Sequence, residues 1–398
     1  MLTLFGATGF TGRLAAIYLR DHAPAGLPWA IAGRDRRKLE AVQAELGSAR
    51  EHVQMIVADV SDPASIDAMV KASSVILTTA GPYAKLGSPV VEACVRHGVD
   101  YCDITGETPW VRDMIDAHHE KAAADGTRIV PFCGVDSVPS DIGAAFVVEE
   151  IRRQFGAETN EVRAGVRLKG GLSGGTLASM MNMMEQGDLR RLADPVLLSP
   201  AAHRTREARA ANPDVRSVAW DDVMGAWTAP FLMGAVNSRV VRRSAALSAD
   251  AGAPWGSDFR YTEFVTAPTR GKARMFAMGL GAGQALLGTP VGRAIARKLG
   301  PSPGEGPDAA ARESGFLRVR LVGLSEGGDR VEAVFEAQGD PGYHITITTA
   351  CQAALTLALD GDALPGGPSR GGVLTPATAL GAPYVQRLRD AGIRLEVV

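Results

Sequence analysis

A loop of three glycines, Gly6-Ala7-Thr8-Gly9-Phe10-Thr11-Gly12, lies between a four-residue apolar run, Leu2–Phe5, and a helical stretch over 11–22. No other feature of the chain limits its fold as strongly. Gly6 permits a tight strand-to-helix turn, Gly9 lets the backbone approach a ligand phosphate, and Gly12 lets helix and strand pack closely. The start of the helix then offers free amide hydrogens and the positive end of its dipole to an anion. The spacing is GxxGxxG and not GxGxxG, a pattern that in isolation also serves as a plain turn. Thr8 and Phe10 join Gly6, Gly9 and Gly12 as candidate ligand contacts.

The surrounding pattern gives the loop its weight. Apolar runs at 2–5, 29–32, 54–58, 75–79, 101–104 and 128–132 alternate with helical stretches at 11–22, 36–46, 66–71, 88–97 and 110–125. Six such steps predict a parallel sheet covered by helices and wound right-handed. The expected fold is α/β: a doubly wound, dinucleotide-binding Rossmann domain over 1–140, a second α+β domain over 141–345, and C-terminal helices over 346–398 that close the chain. A length of 398 residues suits two domains. The second domain is expected to open on a helix at 141–155. Strands are expected at 161–169, 238–247, 260–267, 316–324 and 330–337, and helical regions at 170–185 and 272–299. The Gly/Pro-rich stretch at 300–307 reads as a loop. Helices at 346–359 and 375–391 end the pattern.

The second strand bears on the cofactor. Sites for NAD usually place a carboxylate about 20 residues past the glycine loop. Here the strand ends Ala32-Gly33-Arg34, followed by Asp35-Arg36-Arg37-Lys38. Arg34 can stack on adenine and fork onto a 2′-phosphate, which a carboxylate would repel. NADPH is therefore the expected cofactor, with NADH the alternative if Asp35 takes the ribose hydroxyls. Asp59, just past the third strand, is a candidate for the adenine amino group, with a turn role as its alternative. Gly81 and Pro82 end the fourth strand where a nicotinamide ribose would lie; Tyr83 is a candidate to lean into the substrate cleft, with a packed aromatic in a tight turn as its equal alternative.

Short-chain dehydrogenases donate a proton from a Tyr placed four residues before a Lys. None of the six tyrosines has that partner: Tyr18, Tyr83, Tyr101, Tyr261, Tyr343 and Tyr384 are followed at that spacing by His, Gly, Thr, Val, Ile and Leu. The remaining candidates follow strands four to six. Tyr83, Glu107 and Asp136 are the catalytic candidates, with Asp103, Thr105 and Ser137 beside them. Asp141 starts a helix and reads as a cap. The histidines form no HxxxH and the cysteines no CxxC, so no metal site is expected. A net charge of −2 gives no electrostatic reason to bind nucleic acid.

The glycine loop, Ala32-Gly33-Arg34, Gly81-Pro82-Tyr83, the stretch from Tyr101 to Glu107 and the stretch from Cys133 to Asp141 together resemble the saccharopine dehydrogenase-like reductases. Ser173-Gly174-Gly175-Thr176, the motif at 303–307 and that at 372–377 fit the same pattern, which spans nearly the whole chain. Gly225-Ala226-Trp227-Thr228 and the stretch from Asn237 to Ser244 are similar to one branch, the trans-acting enoyl reductases of mycobacterial glycolipid assembly. The resemblance implies reduction of a C=C bond on a lipid or polyketide thioester, which a carrier protein could present. An enolate formed in that reaction can be protonated by water, so a dedicated acid is not required.

Two rival readings stay open. The wider family's C–N chemistry would need arginines for an amino-acid carboxylate, and Arg239, Arg242 and Arg243 are candidates. A cofactor-loaded scaffold without catalysis is the other. The Gly-rich entry at 169–176 could hold a phosphate or thioester oxygen ahead of a helix rich in Met. The segment 275–291 is apolar, broken by glycines, and flanked by Arg270, Lys272 and Arg274 on one side and Arg293, Arg297 and Lys298 on the other. It is a candidate peripheral membrane contact or tunnel wall, while a buried helix fits as well. With no basic-then-apolar leader before Leu2, a cytoplasmic location is expected, with peripheral membrane contact as its extension.

Overall fold

The computed structural model describes residues 1–170, 174–186, 189–299 and 314–398. The loop expected at 300–307 and residues 171–173 of the Gly-rich entry lie outside them. Strands β1 (Leu2–Phe5), β2 (Trp29–Gly33), β3 (Val53–Val57), β4 (Val75–Thr78), β5 (Asp100–Asp103) and β6 (Arg128–Val130) form a parallel sheet in the order β3-β2-β1-β4-β5-β6. Every residue of β1, β2 and β4 is buried, as expected of apolar runs covered on both faces. The crossovers are α1 (Phe10–His22), α2 (Arg36–Glu45), α3 (Pro63–Lys71), the short α4 (Tyr83–Leu86), α5 (Ser88–His97) and α6 (Thr108–Asp125). The chain reverses its direction of winding between β1 and β4. That switch point is where an open α/β sheet leaves a crevice at its strand ends.

A second sheet combines β7 (Thr159–Lys169), β8 (Ala219–Asp221), β9 (Ala226–Ala229), β10 (Arg260–Ala267), β11 (Phe316–Ser325) and β12 (Arg330–Gln338). Its order is β14-β12-β11-β7-β10-β9-β8; only β7 and β10 run parallel. Helix α7 (Val138–Phe155) leaves the edge of the first sheet and lies on this second one. A Cβ at Gly143 would stand 2.9 Å from the Leu321 side chain, so helix and sheet are close-packed there. The other helices are α8 (Gly174–Gln186), α9 (Leu189–Leu192), α10 (Arg206–Ala211), α11 (Gly234–Asp250), α12 (Arg270–Leu287), α13 (Pro290–Leu299), α14 (Thr346–Leu359) and α15 (Pro376–Asp390). Helix α14 packs against α1, β4 and β5, and α15 packs against both α7 and α14. Beyond these helices the end of the chain supplies β13 (Gly372–Val373), which extends the first sheet beside β6, and β14 (Arg394–Val397), which pairs with β12.

The segment 238–247 is not the expected strand; it is the middle of α11. Its paired valines favour a strand locally, but residues 236–244 are all buried, and there a helix satisfies its backbone groups within itself. Tertiary packing overrides the propensity.

Candidate functional site

The glycine loop crosses from β1 to α1 against the end of β4. Gly6 has a φ of +86°, and a Cβ there would lie 2.9 Å from the Ala80 amide nitrogen. A Cβ at Gly12 would overlap the Gly6 carbonyl oxygen. Both glycines are required by the fold itself. Gly9 is different: its φ is −77°, it is exposed, and a Cβ would meet only the Gly6 carbonyl oxygen, at 3.4 Å. A glycine that the protein does not need, at the N-cap of a 13-residue helix, is what an approaching pyrophosphate requires. The loop therefore fits a dinucleotide on geometric grounds. Thr8 is half-buried beside Gly33, and the Phe10 ring packs edge-on against Tyr343 with centroids 4.9 Å apart. That contact brings the second domain's 341–345 turn to the mouth of the loop.

At the adenine end, Arg34 is exposed and has no hydrogen bond or ion pair among the described residues. Asp35 is occupied: its side chain caps α2 by accepting from the Lys38 amide at 3.2 Å. The arrangement leaves the guanidinium, and not the carboxylate, for the ribose. The Asp59 carboxylate accepts from the Ser61 amide and hydroxyl at 2.9 and 2.8 Å. These bonds, with help from the nearby Arg34 charge, hold its pKa below the usual carboxylate range. Asp59 thus makes the turn that was its alternative role, and lies near Arg34.

At the other end, the loops after β4, β5 and β6 are tied together by side chains. Of the two readings of Tyr83, the structure shows the packed aromatic and not the one that leans into the cleft. Its ring is buried, and its hydroxyl donates to the Thr78 carbonyl at 3.1 Å and accepts from the Ile104 amide at 3.4 Å. It joins the ends of β4 and β5 behind the Gly81-Pro82 turn. Glu107 accepts from the amides of Tyr83 and Ala84 at 2.8 and 3.0 Å and from the Ser179 hydroxyl of α8 at 2.8 Å. Its carboxylate works as a clasp. Asp103 accepts from the Tyr101 hydroxyl at 2.8 Å and from the Thr105 and Phe132 amides at 3.0 and 3.1 Å, and burial pushes its pKa up to about 7. Phe132, with a φ of +68°, is held in this left-handed conformation beside the site.

Asp136 stands apart from these carboxylates. It lies between β6 and α7, part of it stays accessible, and no hydrogen bond holds its carboxyl among the described residues. Desolvation alone pushes its pKa up to about 6. Its neighbours are fixed: the Val135 amide donates to Thr346 Oγ1 at 3.3 Å, and Ser137 Oγ donates to Asn237 Oδ1 at 3.2 Å. Asp141 accepts from the Ser244 hydroxyl and from the Ala377 amide at 2.8 Å, linking α7 to α11 and α15. It sits at the start of α7 without capping it.

Helix α8 spans the crevice. Its Gly174 amide donates to the Tyr343 hydroxyl at 3.2 Å near the phosphate loop, and Ser179 reaches Glu107 at the far end. Ser179 and Thr346 carry no sequence signal, because each acts through a contact with a residue more than 70 positions away. The three arginines of α11 point inward. Arg239 pairs with Asp214 and donates to the carbonyls of Asp194 and Leu192; Arg242 donates to those of Pro195 and Tyr261; Arg243 donates to those of Leu198 and Val373. They anchor the excursion between α8 and β8, and Arg242 also lines a cavity between α11, β10 and α12.

Residues 2–130 match the model of the saccharopine dehydrogenase NADP binding domain. A Mycobacterium tuberculosis protein named provisionally as a trans-acting enoyl reductase is 38% identical over 99% of this chain and 96% of its own length. A trans-acting enoyl reductase from Mycobacterium ulcerans is 34% identical over 98% of this chain and 96% of its own length. Among solved structures, saccharopine dehydrogenase (L-Glu forming) from Saccharomyces cerevisiae matches with a TM-score of 0.56 and 14% identity, covering 100% of this chain and 99% of that one. That last likeness concerns the fold.

Proposed function

The chain belongs to the saccharopine dehydrogenase-like reductase family, in the group of the trans-acting enoyl reductases, and from that premise we propose that it reduces the C=C bond of a lipid or polyketide thioester. It is an oxidoreductase with an NADP-binding domain. The thioester is held on a synthase's carrier domain that lacks this reduction step, and the enzyme meets it in the cytoplasm.

Bound NADPH supplies a hydride to the β-carbon, and the electron pair of the double bond then needs a proton at the α-carbon. Gly9 would let the pyrophosphate approach, Gly6 and Gly12 would shape the loop that holds it, and Thr8 and Phe10 would flank it. Arg34 meets the 2′-phosphate, Asp59 lies by the adenine, and Gly81 and Pro82 carry the nicotinamide ribose. Asp136 holds the proton. Its unpartnered carboxyl, with a pKa near 6, keeps a protonated fraction near neutral pH and has no structural bond to break. Glu107 and Tyr83 position the loops around it.

The observation that carries this reading over C–N chemistry is the inward commitment of Arg239 and Arg243. A carboxylate-binding site for an amino acid would have drawn on them. The test is NADPH consumption by the purified chain with an enoyl thioester and, separately, with a 2-oxo acid plus an amine. A thioester product heavier by two hydrogens supports the proposal. Turnover of the oxo acid and amine alone, or no turnover of either, sinks it.

A further inference from the structure

The hairpin of α12 and α13 is barely covered by the rest of the fold. Only Ala273 of α12 is buried. Met275 and Met278 are 66% and 68% exposed and Val291 is 69% exposed, with Phe276, Leu286 and Ile295 also open. A Cβ at Gly271, Gly279, Gly281 or Gly283 would meet no atom within 4 Å. The inner face of α12, through Ala277, Leu280 and Gln284, roofs a cavity of about 380 Å³ above α11 and β10. Side chains that elsewhere in this protein fill the core here stand in solvent, contiguous along two successive helices.

Charge gives the complement. Lys272, Arg274 and Lys298 are exposed, and Arg270 lies over the Trp227 ring at 5.4 Å, at the root of the hairpin. Between Glu263 and Glu305 the sequence has no acidic residue. No helix among the described residues is long and apolar enough to cross a membrane. Apolar helices whose own charged residues are all cationic, and which are unable to span, fit the pattern of an element lying in a bilayer interface.

We propose that the α12–α13 hairpin is a peripheral anchor for an anionic lipid surface. Its exposed Met, Phe, Leu, Val and Ile side chains enter the boundary between headgroups and acyl chains, and Lys272, Arg274 and Lys298 meet the lipid phosphates. A bilayer fits better than a protein partner. The hairpin itself offers glycine, alanine and flexible methionine, with the Trp220–Trp227 pair only at its root, whereas a bilayer needs only apolar area and positive charge. The purpose of the anchor, bringing the cleft to a lipid-linked chain, rests on the enoyl reductase reading; the binding itself does not.

Co-sedimentation of the full chain with phosphatidylcholine vesicles, with and without phosphatidylglycerol, tests the anchor in the absence of any thioester or cofactor. Binding is expected only with phosphatidylglycerol and should fall as salt rises. The double variants Met275→Asp/Met278→Asp and Lys272→Glu/Arg274→Glu should each weaken it by about tenfold or more. Both should melt at the wild-type temperature, since these side chains touch little. No wild-type binding to phosphatidylglycerol vesicles, or binding that both variants retain, overturns the proposal. So does a large drop in melting temperature for the methionine variant, or capture of an isolated acidic carrier domain through this face without vesicle binding.

Discussion

Asp136 and Glu107 are carboxylates at the same sheet edge, and their surroundings give them different work. Glu107 is saturated by two amides and a hydroxyl, whereas Asp136 is desolvated without a partner and its pKa is pushed up to about 6. A proton donor must be in its acid form, so kcat should fall as pH rises through about 6. Asp136→Asn should lower kcat by roughly 100-fold and erase that inflection, with NADPH affinity unchanged. An inflection that survives in the variant's kcat–pH profile would assign the proton to water or another group. Arg34 carries the second residue-scale expectation. Exposed and unpaired beside a capped Asp35, it should give NADPH an advantage of about tenfold or more over NADH. Arg34→Ala should remove most of it, read from fluorescence titrations with both cofactors. The candidate cofactor residues could be named from the sequence because they lie in the short loops after the first four strands. The sequence leaves both orientations of Tyr83 open, because the direction of its ring depends on packing by residues distant in the chain.

At the scale of elements, the loop into α1 shows that one motif can hold glycines for two different reasons. Gly12→Val would drive a side chain into the Gly6 carbonyl and should compromise folding of the whole Rossmann sheet. Gly9→Val meets only ordinary contact within the protein, so the melting temperature should fall little while NADPH fluorescence enhancement is lost. Retained enhancement in Gly9→Val would make the loop a plain turn. Helix α11 teaches the converse. Two adjacent valines among arginines look like a strand, but each buried guanidinium finds carbonyl acceptors on the 189–199 excursion that only a helix presents to it. Those acceptors come from irregular backbone, which leaves no periodic trace.

Across the whole molecule, buried carboxyls couple stability to pH. Burial raises the pKa values of Asp103, Asp141 and Glu263 to about 7 in the folded chain, well above their ordinary unfolded values. The folded state therefore keeps protons that the unfolded state releases. Their contribution is complete below the unfolded pKa values and is lost as pH rises through about 7, at roughly 1 kcal/mol per pH unit for each group. Urea unfolding should accordingly give a higher stability at about pH 5.5 than at about pH 7.5. Asp141→Asn should flatten that slope, while lowering stability overall through its imperfect match to Ser244 and Ala377. A flat or rising profile in the wild type would mean that these carboxyls are ionised in the fold.

By itself the sequence determined the parallel sheet, the glycine loop between its first strand and helix, and the basic residue at the end of its second strand. Each is written in local periodicity or in a few consecutive residues, where steric and charge requirements act over short distances. Only the tertiary structure decided which acids are clasps and which stands free, that the α11 arginines face inward, and that the end of the chain feeds a strand into each sheet. It also decided that α12 lies outside the core, a choice that an apolar, glycine-broken stretch leaves open. These outcomes depend on which groups meet across the fold, and hydrogen-bond saturation and burial are properties of those meetings.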